Sequence, residues 1–393
     1  MSSVPEQMRR GWKILLITRN LPPLVGGMER LNWHLIQELA KTEQVVTIGP
    51  HDAAVLAPSN TIFNPVPLRP LWRFLLTAFR QALSTARRWR PHIIMAGSGL
   101  TAPIALLAAR TCGAKAVAYV HGLDVTIQNP IYRALWLPAL RRMDRIIANS
   151  HSTAEFARLA GISQHRIGLV HPGVTVPAPP SSNDKLKNFR AKYNLEGRNV
   201  LISVGRLSTR KGLREFVQLA LPRIVAERPD VLLLIVGSVP SDALHAHIQT
   251  AESIEEAART AGVANHVRLI GQITDMDELL TAYQSAIAHI FPVRHIPNDT
   301  EGFGMVAIEA AANGVPTVAF ATGGITDAVA EGESGYLAPP EDYECLARLA
   351  LRVIKSPGSM RAACLRHSAT FAWEKFGRNV LDQLELSTPS RRS

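Results

Sequence analysis

Two series of short apolar runs, each the length of a strand and each followed by a helix-spaced segment, fix the class of fold. In the first half the runs are Lys13–Thr18, Val45–Ile48, His92–Met95, Ala116–Val120, Arg145–Ala148 and Ile167–Val170. In the second they are Val200–Val204, Val231–Val236, Val267–Ile270, Ala288–Phe291, Pro316–Phe320 and Gly335–Leu337. Strands that are apolar throughout, with helices between them, require a parallel sheet covered on both faces. The break between the series, His171 to Ser182, is rich in Pro and Ser and lacks periodicity. It reads as a boundary between two α/β domains. The expected division is residues 1–178, a linker at 179–186, and a second domain at 187–371. A final helix is expected at 372–393, with Trp373, Phe376, Val380, Leu381 and Leu384 at helical spacing.

A chain of 393 residues has room for two such cores. Its three cysteines, Cys112, Cys345 and Cys364, have neither paired nor metal-type spacing, as in a protein of a reducing, cytoplasmic compartment. Met1 to Arg10 is polar, so no secretory leader is expected. The weakly polar run Ile93 to Ala109 contains Gly97, Gly99 and Pro103 and reads as strand, loop and helix, not as a membrane span. The net charge of +11 is uneven. Up to residue 178 there are 20 Lys/Arg against 8 Asp/Glu, and no acidic residue occurs between Ala53 and Leu123. The first half therefore calls for an anionic partner.

Glu301-Gly-Phe-Gly-Met-Val-Ala-Ile-Glu309 places two carboxylates around a glycine turn and the start of a helix. Gly302 and Gly304 let the backbone approach a ligand, and the helix start offers free amides to an anion. The two acids can grip opposite ends of a long ligand with phosphate in its middle, the shape of a sugar nucleotide. Val204-Gly-Arg-Leu-Ser-Thr-Arg-Lys-Gly212 follows the first strand of the second domain. Arg206 and Lys211 would leave the carboxyl end of that strand, where open α/β sheets bind ligands, and supply charge to a diphosphate. Gly26-Gly27 occupies the first strand-to-helix loop, and His121-Gly122 follows the strand Ala116–Val120. Taken alone, each also fits an ordinary turn or a packed histidine.

Three patterns have simpler readings. Gly97-Ser-Gly-Leu-Thr-Ala102 and Gly302-Phe-Gly-Met-Val-Ala307 match a dinucleotide fingerprint, but neither lies in a first βαβ unit. Asp275-Met-Asp277 resembles a metal-binding pair, yet the residues before Glu278 read as a helix cap. No metal is expected. Leu71 to Trp89 is an amphipathic helix, with Arg73, Thr77, Arg80, Ser84, Arg87 and Arg88 on one side. Trp72, Leu75, Leu76, Phe79, Ala82, Leu83 and Ala86 occupy the other. With Arg69 added, the basic side is either a solvated face or a contact with an anionic membrane surface. No nucleic-acid motif accompanies it, so no nucleic-acid partner is expected.

Taken together and in this order, Gly26-Gly27, His121-Gly122, Asn149-Ser150, His171-Pro-Gly-Val174, Gly205-Arg206 with Lys211-Gly212, and Glu301 with Glu309 resemble retaining glycosyltransferases of family 4. The resemblance covers nearly the whole chain. It implies the GT-B fold, two Rossmann-like parallel-sheet domains facing across a cleft, and no cofactor beyond the nucleotide-sugar donor. It also implies transfer of a hexose from a UDP- or GDP-sugar to an acceptor hydroxyl, and a final helix that crosses back to the first domain. The basic first half and the helix Leu71–Trp89 point to a lipid-linked glycan acceptor at the inner face of the cell membrane, as in lipopolysaccharide or exopolysaccharide assembly. By this resemblance His121, Arg206, Lys211 and Glu301 would be catalytic. Gly26, Gly27, Gly205, Gly302, Phe303, Gly304, Met305, Val306 and Glu309 would bind the donor. The loop Arg294–Thr300 is longer than in many relatives. Two other readings remain: a sugar-nucleotide epimerase or pyridoxal-phosphate-type phosphorylase of similar architecture, and a non-catalytic basic module.

Overall fold

The computed structural model describes residues 11–176, 180–239 and 248–387. They form two compact units, Met1–Gly173 with Trp373–Ser393, and Val174–Ala372. The readings made on Met1 to Arg10 lie outside the described residues.

The first unit is built on β1 (Lys13–Ile17), β2 (Gln44–Pro50), β3 (Ile62–Val66), β4 (Ile93–Ala96), β5 (Lys115–Val120), β6 (Arg145–Ala148) and β7 (Ile167–Leu169). All pairings are parallel, in the order β3-β2-β1-β4-β5-β6-β7. The central strands are buried on both faces, as their apolar runs require: Ile14 to Ile17 and Ile93 to Ala96 are fully inaccessible. The helix Trp373–Ser387 belongs to this unit. Trp373 stacks on His34 with ring centroids 4.0 Å apart, and Gln383 accepts from Arg145.

The second unit carries β8 (Asn199–Val204), β9 (Val231–Val236), β10 (Val267–Leu269), β11 (Ala288–Phe291), β12 (Thr317–Phe320) and β13 (Gly335–Ala338). They too are all parallel, in the order β10-β9-β8-β11-β12-β13. In each sheet the direction of strand addition reverses once, between β1 and β4 and between β8 and β11. Such a switch point opens a crevice beyond the carboxyl ends of the two strands.

Three expectations need correction. β3 was not expected. Ile-Phe-Asn-Pro-Val is no continuous apolar run, and Pro65 is tolerated because β3 is an edge strand. The expected linker 179–186 is already helical from Asn183, where Ser182 caps Asn183–Lys192 by accepting from Lys185 N–H. The helix Leu71–Trp89 has the expected bounds and buries Ala82 and Ala86 as expected, but its innermost stripe is shifted to include Phe74 and Ala78, all four fully buried. Trp72 and Leu76, expected on the packed side, are 64% and 41% exposed. Among the described residues no helix is long and apolar enough to cross a membrane.

Candidate active site

The switch point of the second unit gathers most of the residues singled out in the sequence. β8 runs into Gly205 and Arg206, and the chain then makes one tight turn, Thr209–Lys211, before the helix Leu213–Leu219. Gly212 ends that turn in the left-handed region, with φ 67°. A Cβ there would lie 2.2 Å from the carbonyl oxygen of Pro292, so only glycine lets the turn press against the end of β11.

Lys211 is thereby mostly buried, with 13% of its side chain exposed. Its Nζ donates to Glu301 Oε2 at 2.9 Å and lies 4.5 Å from the centroid of the Phe291 ring. Arg210, which sequence reading did not select, sits on the other side of the same carboxylate. Its Nε is 3.5 Å from Glu301 Oε2, and its Nη1 donates to Asp299 at 2.8 Å and to the Thr300 carbonyl at 3.1 Å. Arg206 is exposed and makes no ion pair among the described residues. Arg210 and Lys211 therefore face Asp299 and Glu301, with the Arg206 charge near enough to act on Glu301.

The electrostatics follow. Burial alone would push the Glu301 carboxyl up, but Lys211 and Arg210, with Arg206 behind them, overcome it and hold the pKa down at about 2. Burial pushes the Lys211 ammonium below its ordinary value, and Glu301 offsets only part of that because Arg210 and Arg206 repel it. His289 on β11 is fully buried beside Lys211 and is held neutral, its pKa brought down to about 3 by burial and then by Lys211.

The loop before Glu301 is tied to the cationic turn. Arg294 N–H donates to the Arg210 carbonyl at 2.9 Å, and the Arg294 side chain pairs with Glu215 and Glu341. The glycine turn then delivers the helix Met305–Ala312. Gly304 precedes it at φ 89°, and no side chain caps the helix. Phe303 is buried against Phe371, while Met305 and Val306 are partly exposed. Glu309 lies one turn into the helix, where Tyr283 Oη donates to its Oε2 at 3.4 Å. Asp275 caps the helix Met276–Gln284 through two backbone N–H groups, and Asp277 pairs with Lys185. Both acids of the metal-like pair thus have local partners.

The remaining selected residues stand at the carboxyl edge of the first unit. Gly26 and Gly27 begin the helix Gly27–Ala40 beyond β1. His121 follows β5; its Nε2 lies 3.0 Å from the Gly97 carbonyl, and its backbone N–H donates to Asp124. The arginines Arg69, Arg73, Arg80, Arg87 and Arg88 are all exposed on or just before the helix Leu71–Trp89.

Two parallel-sheet units of this kind, the second with a cationic turn and an acid pair at its switch point, define the GT-B class. Residues 185–371 match the family model of glycosyl transferases group 1, and residues 25–176 that of glycosyltransferase family 4. The GDP-mannose-dependent alpha-(1-6)-phosphatidylinositol monomannoside mannosyltransferase of Mycolicibacterium smegmatis is 29% identical over 391 residues, which cover 92% of this chain and 94% of that one. A glycogen synthase of Mycobacterium tuberculosis is 28% identical over 307 residues, 74% of this chain and 68% of its own. Among solved structures, Anabaena HepE in complex with UDP superposes with a TM-score of 0.78 at 18% identity, covering 95% of this chain and 99% of that chain. Sucrose-phosphate synthase from Thermosynechococcus elongatus superposes at 0.73 and 22%, covering 96% and 100%. These two likenesses concern the fold. The chain belongs to the family 4, group 1 glycosyltransferases, and it is a glycosyltransferase.

Proposed function

We propose that the protein is a retaining, metal-independent hexosyltransferase. It moves a mannose-, rhamnose-, glucose- or GlcNAc-type sugar from a GDP- or UDP-sugar to a glycan acceptor. The observation that carries this reading is the convergence of Arg210 and Lys211 on Glu301, with the exposed Arg206 close enough to add to a positive surplus that a diphosphate neutralises. The mannosyltransferase relative is named for GDP-mannose, and HepE has been solved with UDP-glucose, which frames the donor class.

In this reading Arg206 and Lys211 stabilise the charge that grows on the departing diphosphate, and the uncapped start of the helix Met305–Ala312 adds its amides. Glu301 stays ionised and holds the transferred sugar, while Glu309 binds the ribose hydroxyls. Gly302 to Val306 supply backbone and apolar contacts to the donor. Gly26, Gly27, Gly205 and His121 border the donor phosphate and the reacting carbon. Attack comes from the face the phosphate leaves, so no covalent enzyme intermediate forms and neither acid acts as a nucleophile. Replacing Lys211 by Ala is expected to lower turnover of UDP-glucose or GDP-mannose by about a hundredfold or more. Full turnover in Lys211→Ala overturns the assignment.

The acceptor in this reading is lipid-linked and met at the inner face of the cell membrane, in cell-surface polysaccharide assembly. Support comes from the helix Leu71–Trp89, where exposed Trp72 and Leu76 stand among Arg69, Arg73, Arg80, Arg87 and Arg88. Beside them an apolar groove of about 230 Å³ opens between Leu75, Phe79, Leu107 and Trp136. Arginines next to exposed apolar side chains suit an anionic bilayer, each contributing about 1 kcal/mol near the surface. Flotation with anionic vesicles at low salt is expected to enrich the protein and to lose it when Arg73, Arg80 and Arg87 become Gln. Equal flotation of both forms removes the membrane contact.

A further inference from the structure

Glu301 meets two cations of one turn that are held in different ways. Lys211 Nζ donates to Glu301 Oε2 at 2.9 Å and lies 4.5 Å from the centroid of the Phe291 ring. Arg210 is anchored on several sides. Its Nη1 donates to Asp299 at 2.8 Å and to the Thr300 carbonyl at 3.1 Å, and its own carbonyl accepts from Arg294 N–H. Its side chain is 11% exposed, and its inaccessible Nε has no hydrogen-bond partner, although Glu301 Oε2 is only 3.5 Å away. Buried donors are nearly always satisfied. This one stands about 0.5 Å beyond ordinary hydrogen-bond length from an oxygen that Lys211 already holds.

The backbone of Glu301 is fixed by close packing. Gly324 N–H donates to the Glu301 carbonyl at 3.0 Å, and a Cβ on Gly323 would lie 2.5 Å from that same oxygen. The seat of the carboxylate is therefore decided by its side-chain partners. The charged groups acting on it are Lys211, Arg210 and Arg206, with Asp299 across Arg210. His289 on β11, beside Lys211, is held neutral, and Arg294 is paired with Glu215 and Glu341. Arg206, Arg210 and Lys211 only just outweigh Glu301 and Asp299, and a doubly negative diphosphate reverses that balance. A lysine carries a mobile point charge on a flexible stem, whereas the Arg210 fork is already committed. An anion entering beside the turn therefore draws Lys211 and leaves Arg210 where it stands.

We propose that Arg210 is a positioning residue, which holds the Glu301 carboxylate when Lys211 turns to the donor diphosphate. The Arg210 Nε–H then closes on Glu301 Oε2. Arrival of the donor replaces one hydrogen bond of the carboxylate by another and satisfies the unused donor. Arg210 touches no reacting atom. It acts through Glu301, which stays charged and seated for the transferred sugar. Without Arg210, a largely buried carboxylate facing an anion takes up a proton and loses its hold. The inference deepens the proposed transferase reading and rests on it for the donor.

The test is calorimetric titration of UDP-glucose and GDP-mannose into the full-length protein, in two buffers of different ionisation enthalpy, which counts the protons taken up on binding. The diphosphate of a sugar nucleotide is esterified at both ends and gains no proton of its own in the range used. The proteins are the wild type, Arg210→Gln, Arg210→Lys, and Glu301→Gln with and without Arg210→Gln. At pH 5.5 Arg210→Gln is expected to take up more protons than the wild type, by up to about one, and at pH 8 the two agree. Arg210→Lys returns toward the wild-type count, and in the Glu301→Gln background the difference disappears. A merely structural Arg210 would alter affinity or stability and leave the count alone. The inference is overturned by equal counts in the wild type and Arg210→Gln, by a difference that persists in the Glu301→Gln background, or by no recovery in Arg210→Lys. If the wild type binds neither nucleotide sugar, the donor reading fails and the inference with it; if it binds one and the counts are equal, the inference fails alone. If Arg210→Gln does not fold or bind, Lys211→Ala decides, because Arg210 then holds Glu301 by itself. A urea midpoint that keeps step with that of Lys211→Ala/Glu301→Gln from pH 8 to pH 5 supports the inference. A relative gain in the stability of Lys211→Ala on acidification marks a carboxyl that takes up a proton on folding, and overturns it.

Discussion

Glu301 remains ionised although its side chain is only 13% exposed, because two cations reach it from neighbouring residues of one turn. Its folded-state pKa of about 2 lies below the unfolded carboxyl value of about 4.3. The group therefore stabilises the second unit in full above the unfolded value, and this is lost as pH falls from there through about 2. Glu301→Gln removes the titration and leaves Lys211 and Arg210 facing a neutral amide. It is expected to destabilise the protein by about 3 kcal/mol at neutral pH and to flatten its acid denaturation below pH 4.5. Urea unfolding of both forms at pH 7 and pH 3.5 measures this; equal slopes would mean the pair is solvated. The same residues show where sequence reading stopped. Lys211 and Glu301 were legible because each sits in a recognisable pattern. Arg210 and Asp299 were not, since their role exists only once the loop Arg294–Thr300 folds back onto the turn Thr209–Lys211, a contact spanning 89 positions. Nothing local separates Arg210 from any other basic turn residue.

At the scale of elements, the strand runs and helix bounds were readable because periodicity is a local property, and what failed was orientation. In the helix Leu71–Trp89 the largest residues were assigned to the interior. The helix buries Phe74 and Ala78 together with the expected Ala82 and Ala86, keeps Leu75, Phe79 and Leu83 half-buried against the core, and leaves Trp72 outside. The angle of the stripe is set by the neighbours it meets, which helical spacing alone does not report. A tighter constraint governs the turn after β8. Gly212 has both a left-handed backbone and a carbonyl 2.2 Å from where a Cβ would stand. Gly212→Ala is expected to cost about 2–3 kcal/mol and to lift the Thr209–Lys211 turn off β11. Donor KM should then rise more than the fall in stability would explain. A variant that is destabilised yet has unchanged KM would mean that the turn can shift without moving Lys211.

At the scale of the whole molecule, the two units carry separate acid-sensitive groups. His34, in the first, is stacked on Trp373 and is brought down to about 4 by burial, with Arg30 and Lys41 adding repulsion. His289, in the second, is brought down to about 3. Both folded-state values lie below the unfolded value of about 6.5. On acidification the unfolded chain takes up protons first, so stability falls as pH drops below that value. The contribution of His34 stops changing near its folded value, after a loss of up to about 3 kcal/mol. The units can be followed apart because all six tryptophans, Trp12, Trp33, Trp72, Trp89, Trp136 and Trp373, belong to the first. Intrinsic fluorescence thus reports that unit, while far-ultraviolet circular dichroism reports both. His34→Phe keeps an aromatic ring against Trp373 and removes the proton site. Its fluorescence-detected urea midpoint is expected to fall less than that of the wild type between pH 6.5 and 4. His289→Asn should leave that fluorescence trace unchanged and flatten only the part of the dichroism transition that tryptophan does not follow. If the wild type and His34→Phe lose stability in parallel across this range, the His34–Trp373 stack is open to protonation in the folded protein, and the acid sensitivity of the first unit lies in another group.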